Sequence, residues 1–269
     1  MHFRLWCGAI SACSATGAVS GRVAIGGLAG WNSGTITACF ATGTADGIRS
    51  IGGLSGYNLG TIQDSYAAGP VSGTGKFIGG LVGWNEWGMI VSSYSAGSVS
   101  GAISVGGLVG YNNSGTISGF WDIQTSGQLI SDGGTSLAPA QMKTLSTYKD
   151  ASWDFASVWM ICDGKSYPHL LWEGIECPQY SGGSGLPEDP YQIAAPSDLI
   201  ALGNTPADYG KSFIFTANID LAGYSFDRAL IAPDADDTLD DFQGPAFTGR
   251  FICRDAAISN LTIRTDPVK

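Results

Sequence analysis

One pattern recurs through the first 118 residues and limits the possible folds more than any other feature. Gly-Gly-Leu occurs at Gly26-Gly27-Leu28, Gly52-Gly53-Leu54, Gly79-Gly80-Leu81 and Gly106-Gly107-Leu108, at steps of 26, 27 and 27. Each copy is followed by a small residue, a glycine, an aromatic and Asn: Gly30-Trp31-Asn32, Gly56-Tyr57-Asn58, Gly83-Trp84-Asn85 and Gly110-Tyr111-Asn112. Gly-x-Ile begins at Gly8, Gly34, Gly60, Gly88 and Gly115, and further glycines keep the same register at Gly17, Gly43, Gly69 and Gly97. An internal repeat of 26–27 residues on this scale points to a solenoid, a propeller or an array.

Composition narrows the choice. Of 269 residues, 40 are Gly, and a helix would lose roughly 1 kcal/mol for each one relative to Ala. Runs between the glycines, such as Thr35-Ile36-Thr37-Ala38-Cys39-Phe40, are rich in β-branched and aromatic residues and read as short strands between turns. Propeller blades need roughly 40 or more residues, so the repeat is too short for one. Three short strands and three turns fit, and stacking such coils predicts an all-β fold, a right-handed parallel β-helix. Equivalent residues then lie about 4.8 Å apart in ladders. One ladder is Ile10, Ile36, Ile62, Ile90 and Ile117; another is Ser14, Phe40, Tyr66, Tyr94 and Trp121; a third is Leu28, Leu54, Leu81 and Leu108. Period-two spacing places Ile36 and Phe40 on one face, both toward the core. Asn32, Asn58, Asn85 and Asn112 fall at a turn, where Asn tolerates left-handed backbone and its amide can bond the next Asn.

The pattern Gly-Gly-Leu-small-Gly-aromatic-Asn, with Gly-x-Ile and small-aromatic-Ala-x-Gly, resembles the GLUG motif of large bacterial surface and secreted proteins, among them immunoglobulin A peptidases and adhesin-like proteins. The resemblance covers about residues 8–122. It implies a β-helical stalk or binding surface placed outside the cell, extracellular or at the cell surface, and it implies no activity.

Residues 1–122 are thus read as repeats, 123–178 as a Trp-rich closing segment, and 179–269 as an acidic, partial second β-helix-like domain. The closing segment, with a short helix over 138–148, suits a cap on an apolar β-helix end. In GLUG proteins a Trp-Asp, Trp-Asp-Phe and Tyr-Pro-x-Leu-x-Trp segment often follows the repeats, and Trp121-Asp122, Trp153-Asp154-Phe155 and Tyr167-Pro168-His169-Leu170-Leu171-Trp172 look like it. In the last region Ser197 is placed to N-cap a short helix, and 213–219 and 258–263 read as strands. The sequence there resembles the opening of another surface β-helix domain, and a fragmentary product is the expectation.

Charge follows the same division. Residues 1–118 carry 4 basic and 3 acidic residues, 119–178 carry 3 and 7, and 179–269 carry 6 and 13, making up the net −10. So few cations make nucleic acid a poor partner. A chain 44% apolar and 13% charged is not a disordered tail, and without 18 consecutive apolar residues nothing spans a membrane as a helix.

Candidate sites are few. Among six cysteines, Cys13 and Cys39 share a repeat position held by Ser65 and Ser93 in later coils, which reads as a ladder of small residues more than as a disulfide. Cys162 and Cys177 bracket the Tyr-Pro-His-Leu segment and are the better disulfide pair. The first 15 residues resemble a signal peptide, but their match to later repeats makes them a coil. His2 and His169 are the only histidines, and no metallopeptidase motif is present; His169 reads as packing or surface. Asp64 is the one carboxylate among the ladder residues, so no acidic groove for a lyase or hydrolase is expected. Asp234, Asp236, Asp237, Asp240 and Asp241 form an acidic loop, solvated on the simplest reading, with calcium as the alternative. Trp31, Tyr57, Trp84 and Tyr111, with the adjacent amides of Asn32, Asn58, Asn85 and Asn112, could bind a glycan by ring stacking plus hydrogen bonds, or the rings could stack only on one another. The expected function is a non-enzymatic extracellular scaffold, adhesive or stalk-like, binding a glycan or a host or cell-surface protein and needing no cofactor. The alternative is a non-catalytic fragment of a larger carbohydrate-active enzyme or peptidase.

Overall fold

The computed structural model describes residues 4–5, 8–234 and 241–264. The chain falls into two compact units, Met1–Ile175 and Glu176–Lys269, and the Trp-rich segment up to Ile175 belongs to the first.

The first unit is mostly β and its main sheets are parallel. One sheet takes Arg4–Leu5, Ala29–Asn32, Ser55–Asn58, Val82–Glu86 and Val109–Asn113 in that order. Each strand pairs with its equivalent one repeat away, so Asn32, Asn58, Asn85 and Asn112 stand in one line of register. A second sheet aligns Ile10, Ile36, Ile62, Ile90 and Ile117 in the same way. A third aligns Ile25, Ile51, Ile78 and Val105. Two interior clusters result. Ile36, Leu54, Ile62, Leu81, Ile90 and Leu108 are sealed in one, and Ile25, Ile51 and Ile78 lie in the other. Burial of each such side chain contributes about 1.5–3 kcal/mol.

The backbone reverses the simple assignment of glycines to turns. Residues in the left-handed region recur at Ala12, Ala38, Asp64 and Ser92 (φ 48°, 52°, 49° and 45°), and again at Ala24, Ser50, Phe77 and Ser104 (54°, 56°, 67° and 52°). Among the described residues, the positive-φ glycines all lie at or beyond Gly127. Repeat glycines serve instead for close approach: a Cβ on Gly60 would sit 2.0 Å from the Gly34 carbonyl oxygen. Nor are the Asn residues of the ladder left-handed; they lie in or at the end of strands, where the amide rather than the backbone sets their role.

The left-handed corner at Ala38 also corrects the expected sharing of a face. It turns the chain between Ile36 and Phe40, so Ile36 joins the first core while Phe40, Tyr66 and Tyr94 pack in a separate cluster. In the last repeat the corner residue is missing: Val91 opposes Ser118 and Ser93 opposes Gly119, skipping Ser92. Phe120, not Trp121, therefore continues the aromatic ladder opposite Tyr94. Trp121 turns inward and fills the first core, lying where a Cβ on Gly107 would be.

The Trp-rich segment first covers the last repeat, where Thr135–Leu137 pairs in parallel with Phe120–Asp122 and Ser131 accepts from the Leu108 and Val109 N–H groups, and then continues as a lateral strap. Tyr148, Trp153, Trp159 and Leu170 pack against Tyr66 and Tyr94 on the outer side of the stacked repeats' second sheet. Polar tips fix the register: Tyr94 donates to the Pro168 carbonyl at 2.6 Å, and Trp172 Nε1 donates to the Ala38 carbonyl at 2.9 Å. The expected helix over 138–148 is two short ones, Pro139–Met142 and Leu145–Asp150.

In the second unit, Tyr191–Ile193, Ser212–Phe215 and Arg250–Cys253 pair in parallel, as do Ile219–Asp220 and Ile258–Ser259. Its core holds Ile193, Leu199, Leu202, Phe213, Ile219 and Leu221. The helix Pro196–Gly203 is capped at Ala195 rather than at Ser197. Proline opens it, where its missing N–H costs nothing. The buried Asp198 carboxylate accepts from the N–H groups of Ala194 and Ala195 at 2.9 and 3.0 Å.

Candidate functional site

The aromatic row expected from the repeat forms on the sheet of Ala29–Asn32 and its equivalents. Trp31 stacks on Tyr57 with ring centroids 4.0 Å apart and planes 15° from parallel. Tyr57 and Trp84 follow at 5.0 Å and 55°, and Trp84 meets Tyr111 nearly edge-on at 5.7 Å and 74°. Tyr57 is buried, while Trp31, Trp84 and Tyr111 remain partly accessible.

The loss of parallel stacking at Trp84 has a visible cause. Phe77, from the strand Val71–Gly79, inserts against Trp84 and Tyr111, with centroids 4.9 Å from each. Its left-handed backbone (φ 67°) occupies the corner held elsewhere by Ala24, Ser50 and Ser104. A bulky side chain is rarely found there, and such strain concentrates at functional positions. The Arg49 guanidinium carbon stands 5.4 Å from the ring centres of both Phe77 and Trp84, and Lys76 Nζ is 5.1 Å from that of Phe77. Arg49 and Lys76 oppose each other in register on neighbouring strands. Two buried donors here, Arg49 Nε and Trp84 Nε1, have no hydrogen-bond partner.

Residue type alone does not single out Phe77, Arg49 or Lys76 as site residues. The 27-residue step from Arg49 to Lys76 equals the repeat, which is the signal that two cations share one ladder in an otherwise nearly neutral region.

The Asn residues are not part of an accessible face. Asn32 Nδ2 donates to Asn58 Oδ1 at 2.7 Å, Asn58 to Asn85 at 2.7 Å, and Asn85 to Asn112 at 2.9 Å. Their remaining capacity goes to Thr61, Gly60, Gly88 and Gly115 carbonyls. Asn32, Asn58 and Asn85 are fully buried, so this ladder is structural and the rings are what a ligand could reach.

Cys13 and Cys39 are free thiols in a ladder continued by Ser65 and Ser93. Cys39 Sγ accepts from the Cys13 N–H at 3.4 Å, just as Ser65 Oγ accepts from Cys39 and Ser93 Oγ from Ser65. Burial raises the Cys39 thiol above its ordinary value. Cys162 and Cys177 are both disulfide-bonded.

Beneath the strap, Asp64 accepts from Gln63 Nε2 at 2.9 Å and Trp159 Nε1 at 3.3 Å. Burial pushes its carboxyl above the usual range despite those two bonds. Burial also acts to raise Glu173, but the neighbouring His169 ring and hydrogen bonds from the Leu170 N–H and Tyr66 outweigh it and hold Glu173 below its ordinary value. His169 Nδ1 lies 3.6 Å from Glu173, which places this histidine in the strap's packing. Of the acidic loop, Asp236, Asp237 and Asp240 lie outside the described residues. Asp234 accepts from the Gln243 N–H at 2.9 Å, and the Asp241 carbonyl accepts from the Gln243 amide at 3.0 Å.

Comparison with known proteins gives a partial relative. Over 103 residues the chain is 39% identical to a protein of Evansella cellulosilytica named "Putative Gly-rich membrane protein"; the match takes in 36% of this chain and 12% of that protein's length. No family model matches the chain, and no solved structure matches it. The relative's name overturns the extracellular or cell-surface location drawn from the motif resemblance. No helix among the described residues is long and apolar enough to cross a membrane.

Proposed function

We propose that residues 8–122 wind as a right-handed parallel β-helix of GLUG-type coils, and that the chain acts as a non-enzymatic scaffold whose side carries a carbohydrate-binding aromatic row. The in-register parallel pairing of equivalent residues, repeat after repeat in three sheets, supports the coil reading. The observation that carries the binding reading is the row from Trp31 to Tyr111, in which three of four rings keep accessible surface. Sugar rings present apolar C–H faces that stack on aromatic rings, and Trp and Tyr combine a large apolar face with a polar tip. An array of neutral and acidic glycans, probed with the chain and with its Trp84→Ala variant, tests this. Binding that falls at least tenfold in the variant, with the fold intact by circular dichroism, is expected. Binding unchanged by the substitution, or no binding to any glycan, would reject the row.

A further inference from the structure

We infer that the face formed by Trp84, Phe77, Tyr111, Arg49 and Lys76 selects acidic carbohydrate, a chain of uronic acids. The inference rests on the carbohydrate reading above and adds the chemical class of ligand.

The repeats hold few cations, and in stacked coils identical positions recur every 4.8 Å or so, so like charges on one ladder repel. Arg49 and Lys76 nevertheless oppose each other directly. Neither takes part in an ion pair among the described residues. The nearest acidic side chain on that pair of strands, Asp46, is occupied by Ser72, whose hydroxyl donates to it. Both cations lean instead on aromatic faces, at 5.1–5.4 Å. A cation over a ring keeps its positive charge un-neutralised and directed along the platform.

Donor capacity points the same way. Arg49 Nε and Trp84 Nε1 are buried from water and bond to nothing; leaving such donors unmet is costly, which marks this face as polar in a way that its own packing does not satisfy. Arg presents a planar fork suited to a carboxylate, and Lys76, exposed at the rim, adds a second point charge. Phe77 supplies the third element. Its left-handed backbone puts a bulky residue where the other repeats have Ala or Ser, yet it packs a ring against both Trp84 and Tyr111 and within 5.1–5.4 Å of both cations. Flat rings with flanking cations fit a sugar bearing a carboxylate: the ring stacks, and the carboxylate meets Arg49 and Lys76.

Titration calorimetry with oligogalacturonate and with its fully methyl-esterified form separates stacking from charge, because the ester keeps the sugar rings and removes the carboxylates. We expect the free acid to bind at least about tenfold more tightly than the ester, with a preference that weakens as salt rises. Lys76→Gln, on an exposed side chain, should cut that preference several-fold without moving the melting temperature, and Arg49→Lys should cut it further by removing the fork. Equal affinity for acid and ester, both lost in Trp84→Ala, would overturn the acidic selectivity and leave the carbohydrate reading standing. Binding of poly-glutamate or a single-stranded oligonucleotide as tightly as the uronate would overturn the sugar class. Binding of neither pectic form, with no glycan bound on the array, would remove both readings.

Discussion

Replacing Asn58 by Ala should be among the most damaging single changes in the repeat region, although Asn58 touches no candidate ligand position. Its Oδ1 accepts from Asn32 at 2.7 Å, and its Nδ2 donates to Asn85 at 2.7 Å and to the Gly60 carbonyl at 3.2 Å. Three bonds, two of them fully buried, at roughly 1 kcal/mol each amount to about 3 kcal/mol, and an Asn85 oxygen left without its ladder donor adds about 1–2. The expected loss is therefore about 4–5 kcal/mol, a large share of the 5–15 or so that holds an ordinary domain together. Asn112, at the end of the ladder and partly exposed, accepts a single ladder bond at 2.9 Å. Water can replace part of what it loses, so Asn112→Ala should cost only about 1–2 kcal/mol. Guanidinium unfolding followed by tryptophan fluorescence and circular dichroism would give both values, and an Asn58/Asn85 double-mutant cycle should show a coupling of about 0.5–3 kcal/mol. A cost below about 1 kcal/mol for Asn58→Ala, or equal costs at positions 58 and 112, would refute the claim that a continuous buried ladder stabilises the stack.

Glycine and alanine should behave in opposite senses to their usual roles in turns. Gly60→Ala forces a Cβ to 2.0 Å from the Gly34 carbonyl and should cost on the order of 3 kcal/mol, whereas Ala38→Gly, at φ 52°, should be neutral or stabilising by up to about 1 kcal/mol; chemical denaturation of both variants checks the pair. Asp64, whose carboxyl burial raises, favours the folded state most when protonated, so its ionisation costs stability as pH rises through the folded value. Asp64→Asn should therefore raise the melting temperature at pH 7 and lose that advantage at acid pH; no gain at pH 7 would contradict the burial argument. Glu173 has the other sign: its carboxyl is held low, so its contribution is present above the ordinary carboxylate range and disappears as pH falls through its folded value. A Glu173→Gln variant should flatten the acid limb of the melting profile, and an unaltered limb would show that the strap does not depend on this group.

Much of this architecture is written in the spacing. A 26–27-residue period with short β-branched runs leads directly to parallel stacking, and Asn at one position per repeat leads to an amide ladder. What the spacing does not carry is the backbone hand at individual corners. Ala38 and Ser50 give no composition signal of left-handed geometry, so the turn between Ile36 and Phe40, and with it the separate aromatic cluster, is hidden. A single missing corner residue shifts Trp121 from the ladder to the core. The strap is equally hidden, because contacts such as Trp172 to Ala38 join residues 134 apart with no periodicity to announce them. At the candidate face the aromatic row is legible from the repeat, whereas Phe77 is conspicuous only once its corner is known to demand a small residue.

Successive repeats stack in parallel and in register. Nuclear Overhauser contacts among asparagine side-chain amides, in a deuterated sample labelled only at Asn, measure this most directly. The account predicts contacts from Asn32 to Asn58, Asn58 to Asn85 and Asn85 to Asn112, with none between Asn32 and Asn85. Absence of the sequential contacts, or contacts that skip a repeat, would contradict it.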